Sequence, residues 1–241
     1  MNRLSEISAV EMFPPSLRKM LETQRVQGRT RELGFVGGST ENNLFVLTNY
    51  LDKHKPARTL EVGLACGASA LAFTHMHRLI GGDTERVHVA IDPFQADLDD
   101  AALVQIEDEG LDSYFRFIRE PSYAALPKML REGLTFDMIY IDGSHHFDHV
   151  FIDIFYSARL LSKGGIVLFD DSTLPEVRKV ISFVRRNWMH AFSETDLAEY
   201  RRDSGRSWRY RVAKALGRVQ LTGFRKNADP ERSAESSFKS F

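Results

Sequence analysis

The chain has 241 residues, of which 43% are hydrophobic and 27% are charged, and this composition is typical of a globular protein with one sizeable core. Its 32 Lys and Arg residues balance 33 Asp and Glu residues, so the net charge of -1 gives no reason to expect a polyanionic partner such as nucleic acid. No segment approaches the ~20 apolar residues of a membrane span, and the first residues lack the apolar run of a signal peptide. We therefore expect neither membrane insertion nor secretion.

The chain has a single cysteine, Cys66. One cysteine cannot form an intrachain disulfide, and a chain without disulfides is typical of a reducing compartment. We therefore expect a cytoplasmic protein.

The first 38 residues contain two adjacent prolines and end in a stretch with three glycines. This segment, residues 1–38, predicts one short helix followed by a flexible connection, and we expect it to act as a lid. The main domain then spans residues 39–226. It opens with a helix that is capped by Ser39 or Thr40 and that stops before Pro56.

Short apolar, β-branched runs alternate with amphipathic stretches through the middle of the chain. Five such runs predict strands, at residues 59–62, 86–92, 115–118, 136–142 and 165–170. Each intervening stretch is long enough for a crossover helix, so the pattern predicts an α/β fold with a doubly wound, mostly parallel sheet. In the fourth connection, apolar residues at 3,4-spacing from Phe147 to Leu161 form the stripe that packs on the sheet, and two glycines then end the helix.

The C-terminal third has a weaker pattern. Residues 188–192 and 218–226 predict two further strands, and residues 207–217 predict a helix between them. Residues 201–218 carry seven Arg or Lys residues against one Asp. The simplest interpretation is a helix that packs through Trp208, Val212 and Leu216 with a solvated basic side, and the alternative is an arginine clamp for an anionic substrate. Residues 227–241 are polar and small, and they predict a disordered tail.

A glycine-rich turn follows the first strand and precedes a helix. The turn has Gly63 and Gly67 at a spacing that differs from the dinucleotide fingerprint, and Glu61 lies two positions before the first glycine. A carboxylate there would repel a pyrophosphate but would tolerate a zwitterionic or cationic ligand. S-adenosylmethionine fits this description. The second strand ends in Asp92, whose carboxylate can accept both hydroxyls of a ribose.

The glycine turn and the aspartate resemble motifs I and II of the class I S-adenosylmethionine-dependent methyltransferases, and the resemblance covers roughly residues 39–226. It implies a seven-stranded sheet whose last strand is antiparallel. It also implies that the methionine part of the cofactor is surrounded by Glu61, Gly63, Gly67, Ala68 and Ser69. By the same resemblance, Asp92 binds the ribose, and the turn that ends at Ser122 contacts the adenine.

The fourth and fifth predicted strands end in acidic residues. Asp142 follows the fourth strand, and Asp170 and Asp171 follow the fifth. If the strands are neighbours, they lie ~4.8 Å apart, and three carboxylates at that spacing need a cation or raised pKa values. A hard divalent ion such as Mg²⁺ would meet this need. The alternative is that residues 170–173 only cap the next helix.

These strand ends are similar to those of the catechol, caffeoyl-CoA and macrocin-type O-methyltransferases, and the resemblance implies that Asp142, Asp170 and Asp171 hold the metal. Asp142 also adjoins the cofactor in this interpretation. His145 stands where the catechol-type enzymes have a catalytic lysine, and its imidazole can accept a proton near neutral pH. We predict that His145 is the general base. His146 and His149 are alternatives, and His145 with His149 is a candidate pair for a transition metal.

The sequence therefore favours a metal-assisted O-methyltransferase that acts on a hydroxyl of a small molecule, with a homodimer left open. Two other classes compete with it: an NAD(P)-dependent oxidoreductase, and a cofactor-binding module without catalysis. A metal-independent N- or C-methyltransferase of the same fold is the further alternative.

Overall fold

The computed structural model describes residues 12–82, 85–202, 207–231 and 237–241. The chain divides into two compact units. The first comprises Met1–Glu120 with Tyr200–Arg202, and the second comprises Pro121–Glu199 with Asp203–Phe241. Within the described residues, none of the helices has the length and apolar character that a membrane span requires.

The described residues of the first unit form four α-helices and five strands. In chain order they are α1 (Pro15–Thr23), β1 (Arg25–Gln27), β2 (Glu32–Gly34), α2 (Glu41–His54), β3 (Arg58–Val62), α3 (Ala68–Ile80), β4 (Val87–Ile91), α4 (Ala101–Asp108) and β5 (Phe115–Ile118). The α2 helix begins as predicted, because the Thr40 hydroxyl accepts a hydrogen bond from the Asn43 backbone N–H at 3.3 Å.

In the described part of the second unit there are also four α-helices, with four strands. In chain order they are α5 (Ser122–Arg131), β6 (Phe136–Ile141), α6 (Phe147–Leu160), β7 (Leu161–Phe169), α7 (Pro175–Asn187), β8 (Phe192–Thr195), α8 (Ser207–Ala215) and β9 (Thr222–Lys226). The buried positions of α6 include Val150, Ile154 and Ala158, which belong to the predicted apolar stripe.

Seven of the strands form one sheet in the order β5-β4-β3-β6-β7-β9-β8. The pairs β3/β4, β4/β5 and β6/β7 are parallel, and β9 runs antiparallel to both β7 and β8. The prediction of a doubly wound, mostly parallel seven-stranded sheet is therefore confirmed. In such sheets ligands bind beyond the carboxyl ends of the strands, where the crossover connections diverge.

Three predicted boundaries differ from the structure. β7 begins at Leu161 rather than at residue 165, directly after α6 ends at Leu160. The prediction that the two glycines end the helix is therefore wrong, because Gly164 and Gly165 lie within the strand, where Gly164 adopts a φ of +86°. The sixth strand of the sheet was predicted at residues 188–192, but the N–H of Phe192 bonds to the Trp188 carbonyl at 2.9 Å, so this stretch is a turn and β8 begins at its end. The last strand begins at Thr222 rather than at residue 218.

A hairpin replaces part of the predicted flexible connection near the N-terminus. β1 and β2 pair antiparallel as a separate two-stranded sheet. The Asp99 carboxylate accepts hydrogen bonds from the backbone N–H groups of Thr30 at 2.7 Å and Arg31 at 2.9 Å. The Arg29 guanidinium also donates to both carboxylate oxygens of Glu107. These bonds fasten the hairpin to the segment that leads into α4.

The face of α8 that was predicted to pack is exposed. Trp208, Val212 and Leu216 are 63%, 51% and 62% exposed, whereas Tyr210 is buried. Helical spacing identifies an apolar face but not the side on which the neighbours lie. Here Lys214 pairs with Glu194 at 2.9 Å, so the basic side of the helix faces β8.

The described end of the predicted tail contacts α7. The Asn187 side chain donates to the carbonyl oxygen of Lys239 and accepts from its N–H, both at 2.9 Å. The ring of Phe241 lies 5.2 Å from that of Phe183. Residues 232–236, between these contacts and β9, lie outside the described part of the chain.

Candidate functional site

The turn between β3 and α3 requires glycine at both predicted positions. Gly63 and Gly67 have φ values of +90° and +85°, which side chains rarely adopt. A Cβ atom at Gly67 would also lie 2.7 Å from the Cβ of Ala102. The backbone is therefore bent sharply between the strand and the helix, and Ala68 and Ser69 form the first turn of α3. This is the part of the fold that can bring backbone N–H groups close to a ligand.

Asp92 holds this turn in place. One of its carboxylate oxygens accepts hydrogen bonds from the backbone N–H groups of Leu64 at 2.9 Å and Ala65 at 3.1 Å. The other oxygen, Oδ1, accepts one from Phe94 at 2.6 Å. A carboxylate has roughly four lone-pair sites, so Oδ1 keeps capacity for a hydroxyl of a ligand. Asp92 is thus suited to shape the turn and to bind a ribose.

Gln95, which follows β4 and contacts this turn, is a residue that sequence reasoning missed. It is fully buried, and its side-chain N–H donates to the Ala65 carbonyl at 2.8 Å. Because Ala65 has a φ of +43°, this bond stabilises a strained backbone position. A glutamine three residues after the aspartate is the only sequence signal for it.

Glu61 is fully buried beside another titratable side chain. Its Oε1 lies 3.3 Å from Nε2 of His88, and both side chains have no exposed surface. Nδ1 of His88 is 2.9 Å from the Thr59 hydroxyl, which is also 2.9 Å from Nε2 of His77. Burial lowers the pKa of His77 to about 3, and the charges of His88 and Arg86 add to the effect. The predicted contact of Glu61 with the cofactor remains a prediction, since this carboxylate lies inside a polar network.

The chain after the hairpin passes close to the glycine turn. A Cβ atom at Gly37 would lie 3.1 Å from that of Ala65, and the Cys66 sulfur is 4.0 Å from the Gly34 carbonyl. Burial raises the pKa of the Cys66 thiol, and a backbone hydrogen bond from Val36 partly opposes the shift. Cys66 is therefore a packing residue, as its position in the turn suggested.

In the second unit, three predicted site residues come together beyond the ends of β6 and β7. Donor atoms of Asp142, His145 and Asp171 all lie within 4.8 Å of one another. Nε2 of His145 is 2.9 Å from Oδ2 of Asp171. Two carboxylates and one imidazole are a donor set that divalent metals accept. The same arrangement also pairs a candidate base with an orienting carboxylate.

Asp170 does not join this group. It is buried, it accepts a hydrogen bond from the Tyr140 hydroxyl, and its Oδ1 accepts one from the Asp171 N–H at 2.7 Å. The structure therefore brings two of the three predicted metal ligands together and directs the third toward β6. Tyr140 lies two residues before Asp142 in the sequence, and no sequence signal showed that it would bind Asp170.

Gln220 supports Asp171 from the segment before β9. Its side-chain N–H donates to Asp171 Oδ1 at 3.2 Å, and its carbonyl accepts from the Ser172 N–H at 2.8 Å. Asp171 has a φ of +47°, a backbone conformation that is uncommon in general but that aspartate adopts more readily than most residues. The two bonds with Gln220 hold this turn and the Asp171 carboxylate in place. Sequence reasoning missed Gln220, because its element was predicted as a strand and not as a contact of the site.

The other two histidines lie apart from the acidic group. The rings of His146 and His149 are 6.0 Å apart, and the ring of Tyr123 lies 6.3 Å from that of His149. Among the residues that the structure describes, the only group of metal-ligating side chains contains His145 without His149.

Ser122, the predicted adenine contact, is the first residue of α5.

These features agree with the comparisons to known proteins. Residues 60–172 match a family model described as a methyltransferase domain. This segment contains the glycine turn, Asp92, His145 and both aspartates of the acidic group. This segment is therefore similar in sequence to methyltransferase domains.

The chain is 29% identical over 140 residues to the O-methyltransferase hkm8 of Aspergillus hancockii. The match covers 58% of this chain and 51% of the relative, so the chain spans about half the length of the curated relative that it matches.

Two solved structures are similar in fold. The O-methyltransferase from Bacillus cereus in complex with SAH has a TM-score of 0.60 at 14% identity, over 80% of this chain and 85% of that chain. The O-methyltransferase TomG from Streptomyces achromogenes, in complex with SAM, has a TM-score of 0.57 at 16% identity, over 81% of this chain and 91% of that chain.

Proposed function

We propose that this protein is an S-adenosylmethionine-dependent O-methyltransferase that acts on a hydroxyl group of a small molecule. The observation that carries the proposal is the pair formed by His145 and Asp171, within 4.8 Å of the Asp142 carboxylate and inside the methyltransferase domain. An oxygen acceptor needs a base for its proton, and this pair is suited to that role.

In this proposal the cofactor binds at the glycine turn of the first unit. Asp92 accepts the ribose hydroxyls, and the methionine part is held by Glu61, Gly63, Gly67, Ala68 and Ser69. Ser122 contacts the adenine, and Asp142 adjoins the reacting end. The complexes of the Bacillus cereus and Streptomyces achromogenes enzymes with SAH and SAM support this assignment of the ligand class.

His145 acts as the base through the nitrogen that Asp171 leaves free. With Nε2–H donating to Asp171 Oδ2, Nδ1 is the basic nitrogen and accepts the acceptor's proton. The acceptor oxygen bonds to the methyl carbon as the bond from that carbon to sulfur breaks, which yields S-adenosylhomocysteine and the methyl ether. Asp171 stabilises the resulting imidazolium, and Gln220 keeps Asp171 oriented.

A divalent cation such as Mg²⁺ fits the acidic group of the second unit. Asp142 and Asp171 offer oxygen donors that such ions prefer, and His145 offers a third donor atom within the same 4.8 Å. When bound, the cation would supply a Lewis acid that lowers the pKa of the acceptor hydroxyl. We assign Asp142 and Asp171 as ligands and keep His145 as the base, since one imidazole nitrogen cannot bind both a metal and a proton. The predicted third ligand, Asp170, would first have to release Tyr140.

The single cysteine supports a reducing, cytoplasmic location, and the near-neutral charge supports a small-molecule acceptor over nucleic acid. A homodimer is compatible with this function but is not required by it.

The test is cofactor binding followed by turnover. Calorimetry should show binding of S-adenosylhomocysteine and no binding of NAD. Production of S-adenosylhomocysteine from S-adenosylmethionine in the presence of catechol, caffeate and sugar probes should then fall in His145→Gln and persist in His146→Gln, a matched imidazole outside the acidic group. Tight NAD binding without binding of S-adenosylhomocysteine would overturn the proposal.

A further inference from the structure

The helix α8 carries a stripe of apolar side chains on its solvent side. Trp208, Val212 and Leu216 follow one another at a spacing of four residues and are 63%, 51% and 62% exposed. The Leu216 N–H donates to the Val212 carbonyl at 3.0 Å, so the helical spacing continues one residue beyond the end of α8. These three residues therefore lie on one side of the helix, and we call them the α8 stripe.

The opposite side of α8 is turned inward. Tyr210 is buried, and Nζ of Lys214 lies 2.9 Å from Oε1 of the partly buried Glu194. A surface helix normally turns its apolar side inward and its charged side to water. The ion pair and the buried tyrosine fix the reverse orientation here, because a rotation that buried the stripe would break the pair and expose Tyr210. The stripe is thus held on the outside.

Basic residues accompany the stripe along the chain. Residues 206–218 contain four arginines, one lysine and no acidic residue, so positive charge remains in excess after Glu194 and the nearby Asp196 are counted against them. Arg218 is exposed just beyond the helix. Nε of Arg211 lies 3.5 Å from Oδ2 of Asp196, but both side chains are more than half exposed. Water and salt screen such a pair, so Arg211 can still bind another anion.

The size and the charge of this surface indicate what kind of partner it fits. Three side chains on a nine-residue helix expose a few hundred Å², less than the ~800 Å² that each partner of a stable dimer buries. A second copy of the chain would also bring the same positive charge to the contact. An anionic lipid surface has the opposite charge and needs no matching groove. Helices that lie at such surfaces typically combine tryptophan and leucine with arginine or lysine.

We propose that the α8 stripe docks this protein on an anionic phospholipid surface. The helix lies in the plane of the headgroups, with the stripe at the boundary between headgroups and acyl chains. The aliphatic stems of Arg211 and Arg218 follow the stripe, and their guanidinium groups pair with lipid phosphates. The chain is held at the surface and does not cross the membrane. This inference is independent of the proposed function, because it is tested by lipid binding alone.

The experiment measures cosedimentation of the full chain with vesicles. One set contains phosphatidylcholine only, and the other contains about one third phosphatidylserine. We expect binding to the second set only, and roughly tenfold weaker binding at an ionic strength of about 1 M. Leu216→Glu should weaken binding roughly tenfold or more, because it places a carboxylate in the stripe. Met189→Glu, which changes another exposed apolar residue of the second unit, should bind as the wild type does.

Tryptophan fluorescence gives a second readout. The chain has two tryptophans, and Trp188 is buried whereas Trp208 is exposed. Addition of the anionic vesicles should shift the emission to shorter wavelength, because Trp208 moves from water into the headgroup region. Trp208→Phe should abolish this shift and keep most of the cosedimentation, since phenylalanine is also apolar.

Several results would overturn the proposal. The first is no binding to the anionic vesicles, and the second is equal binding to both sets. The third is binding that Leu216→Glu leaves unchanged. A shift in emission that appears without vesicles as the protein concentration rises, together with a doubled mass, would show that a second copy covers the stripe instead. Binding to polyglutamate without binding to lipid would indicate an acidic protein partner. Should Leu216→Glu lower the melting temperature, Val212→Gln replaces it as the deciding variant.

Discussion

Nε2 of His145 lies 2.9 Å from Oδ2 of Asp171, although the two residues are 26 positions apart in the chain (171 − 145 = 26). The contact joins the loop after β6 to the end of β7. It fixes one tautomer of the imidazole and thereby decides which nitrogen is basic. The chemistry of the site depends on this pair more than on the number of acidic residues nearby.

Replacement of Asp171 by asparagine should therefore impair the base. The amide introduced by Asp171→Asn can donate to Nε2 and so favours the wrong tautomer, and we expect kcat to fall roughly 10²- to 10⁴-fold with little change in cofactor affinity. Turnover should be followed by formation of S-adenosylhomocysteine across a pH range. The matched control is Asp148→Asn, an exposed acidic residue in the first turn of α6. Equal losses in both variants would contradict the assignment.

Metal binding should depend on Asp142 and not on Asp170. Asp142 offers a carboxylate oxygen to the acidic group, whereas Asp170 is bonded to Tyr140 and to the backbone. Titration with Mn²⁺, monitored by electron paramagnetic resonance, should show binding that Asp142→Asn abolishes. Asp170→Asn should keep most of the binding and instead lower the stability by about 1–3 kcal/mol, because it weakens a buried hydrogen-bonded carboxylate. If Asp170→Asn also abolished Mn²⁺ binding, the result would favour the three ligands predicted from the sequence, Asp142, Asp170 and Asp171.

Substitution of Asp92 should weaken the cofactor site in two ways. Asp92→Ala removes the acceptor for the ribose and also releases the N–H groups of Leu64 and Ala65. We expect the Kd for S-adenosylhomocysteine to rise by roughly 100-fold or more by calorimetry, given about 1–3 kcal/mol for each unsatisfied buried group. Asp97→Ala changes an exposed carboxylate five residues further on and should have little effect. An unchanged Kd in Asp92→Ala would remove the ribose assignment.

The pH dependence of stability should carry a contribution from Asp153, whose carboxyl group is buried in α6. Its pKa in the folded protein is raised from 3.8 to about 7, so its stabilising effect is fully present below pH 3.8 and is lost as the pH rises toward 7. Asp153→Asn should remove this loss of stability. In urea titrations, the free energy of unfolding of the variant should therefore decline less than that of the wild type between pH 3.8 and about 7. His77 works in the opposite direction, because its pKa is lowered from 6.5 to about 3. His77 is present in both proteins, so its contribution cancels when the variant is compared with the wild type. If the free energies of unfolding of the two proteins change in parallel with pH, the raised pKa of Asp153 is refuted.

Removal of the Asp99 carboxylate should loosen the hairpin. The hydrogen bond from the Thr30 N–H lowers the pKa of Asp99 most, the Arg31 N–H adds to the effect and burial opposes it, so the carboxylate is ionised near neutral pH. In Asp99→Ala we expect faster hydrogen exchange at the amides of Thr30 and Arg31, with β3 and β4 protected as in the wild type. The exposed Asp97 again supplies the control substitution. Unchanged exchange at both amides would show that β1 and β2 hold the hairpin without help.

Most strands of the central sheet could be predicted from the sequence, because each is marked by a clear run of apolar residues. β3, β4, β5 and β6 lie within one residue of their predicted bounds, since buried parallel strands are short runs of apolar residues. The hairpin was missed because its strands have three residues each and mostly exposed side chains, so no apolar run marks them.

The candidate site was predicted in its composition but not in its connections. Asp142, His145 and Asp171 could be selected because strand ends meet at one edge of a parallel sheet. The direction of Asp170 could not, because it depends on a hydroxyl of the neighbouring strand. Asp153 did leave a signal: it lies three residues after Val150 and directly before Ile154, on the apolar stripe of α6, where a carboxyl group is out of place.

The attachment of the hairpin has a consequence for protein engineering. Asp99 binds Thr30 and Arg31, Glu107 binds Arg29, and Gly37 follows close beside Ala65. A chimera that imports the N-terminal segment of a relative must therefore import the matching residues around positions 99 and 107 as well. The two stretches should behave as one exchangeable module, even though 68 positions separate Arg31 from Asp99 in the chain (99 − 31 = 68).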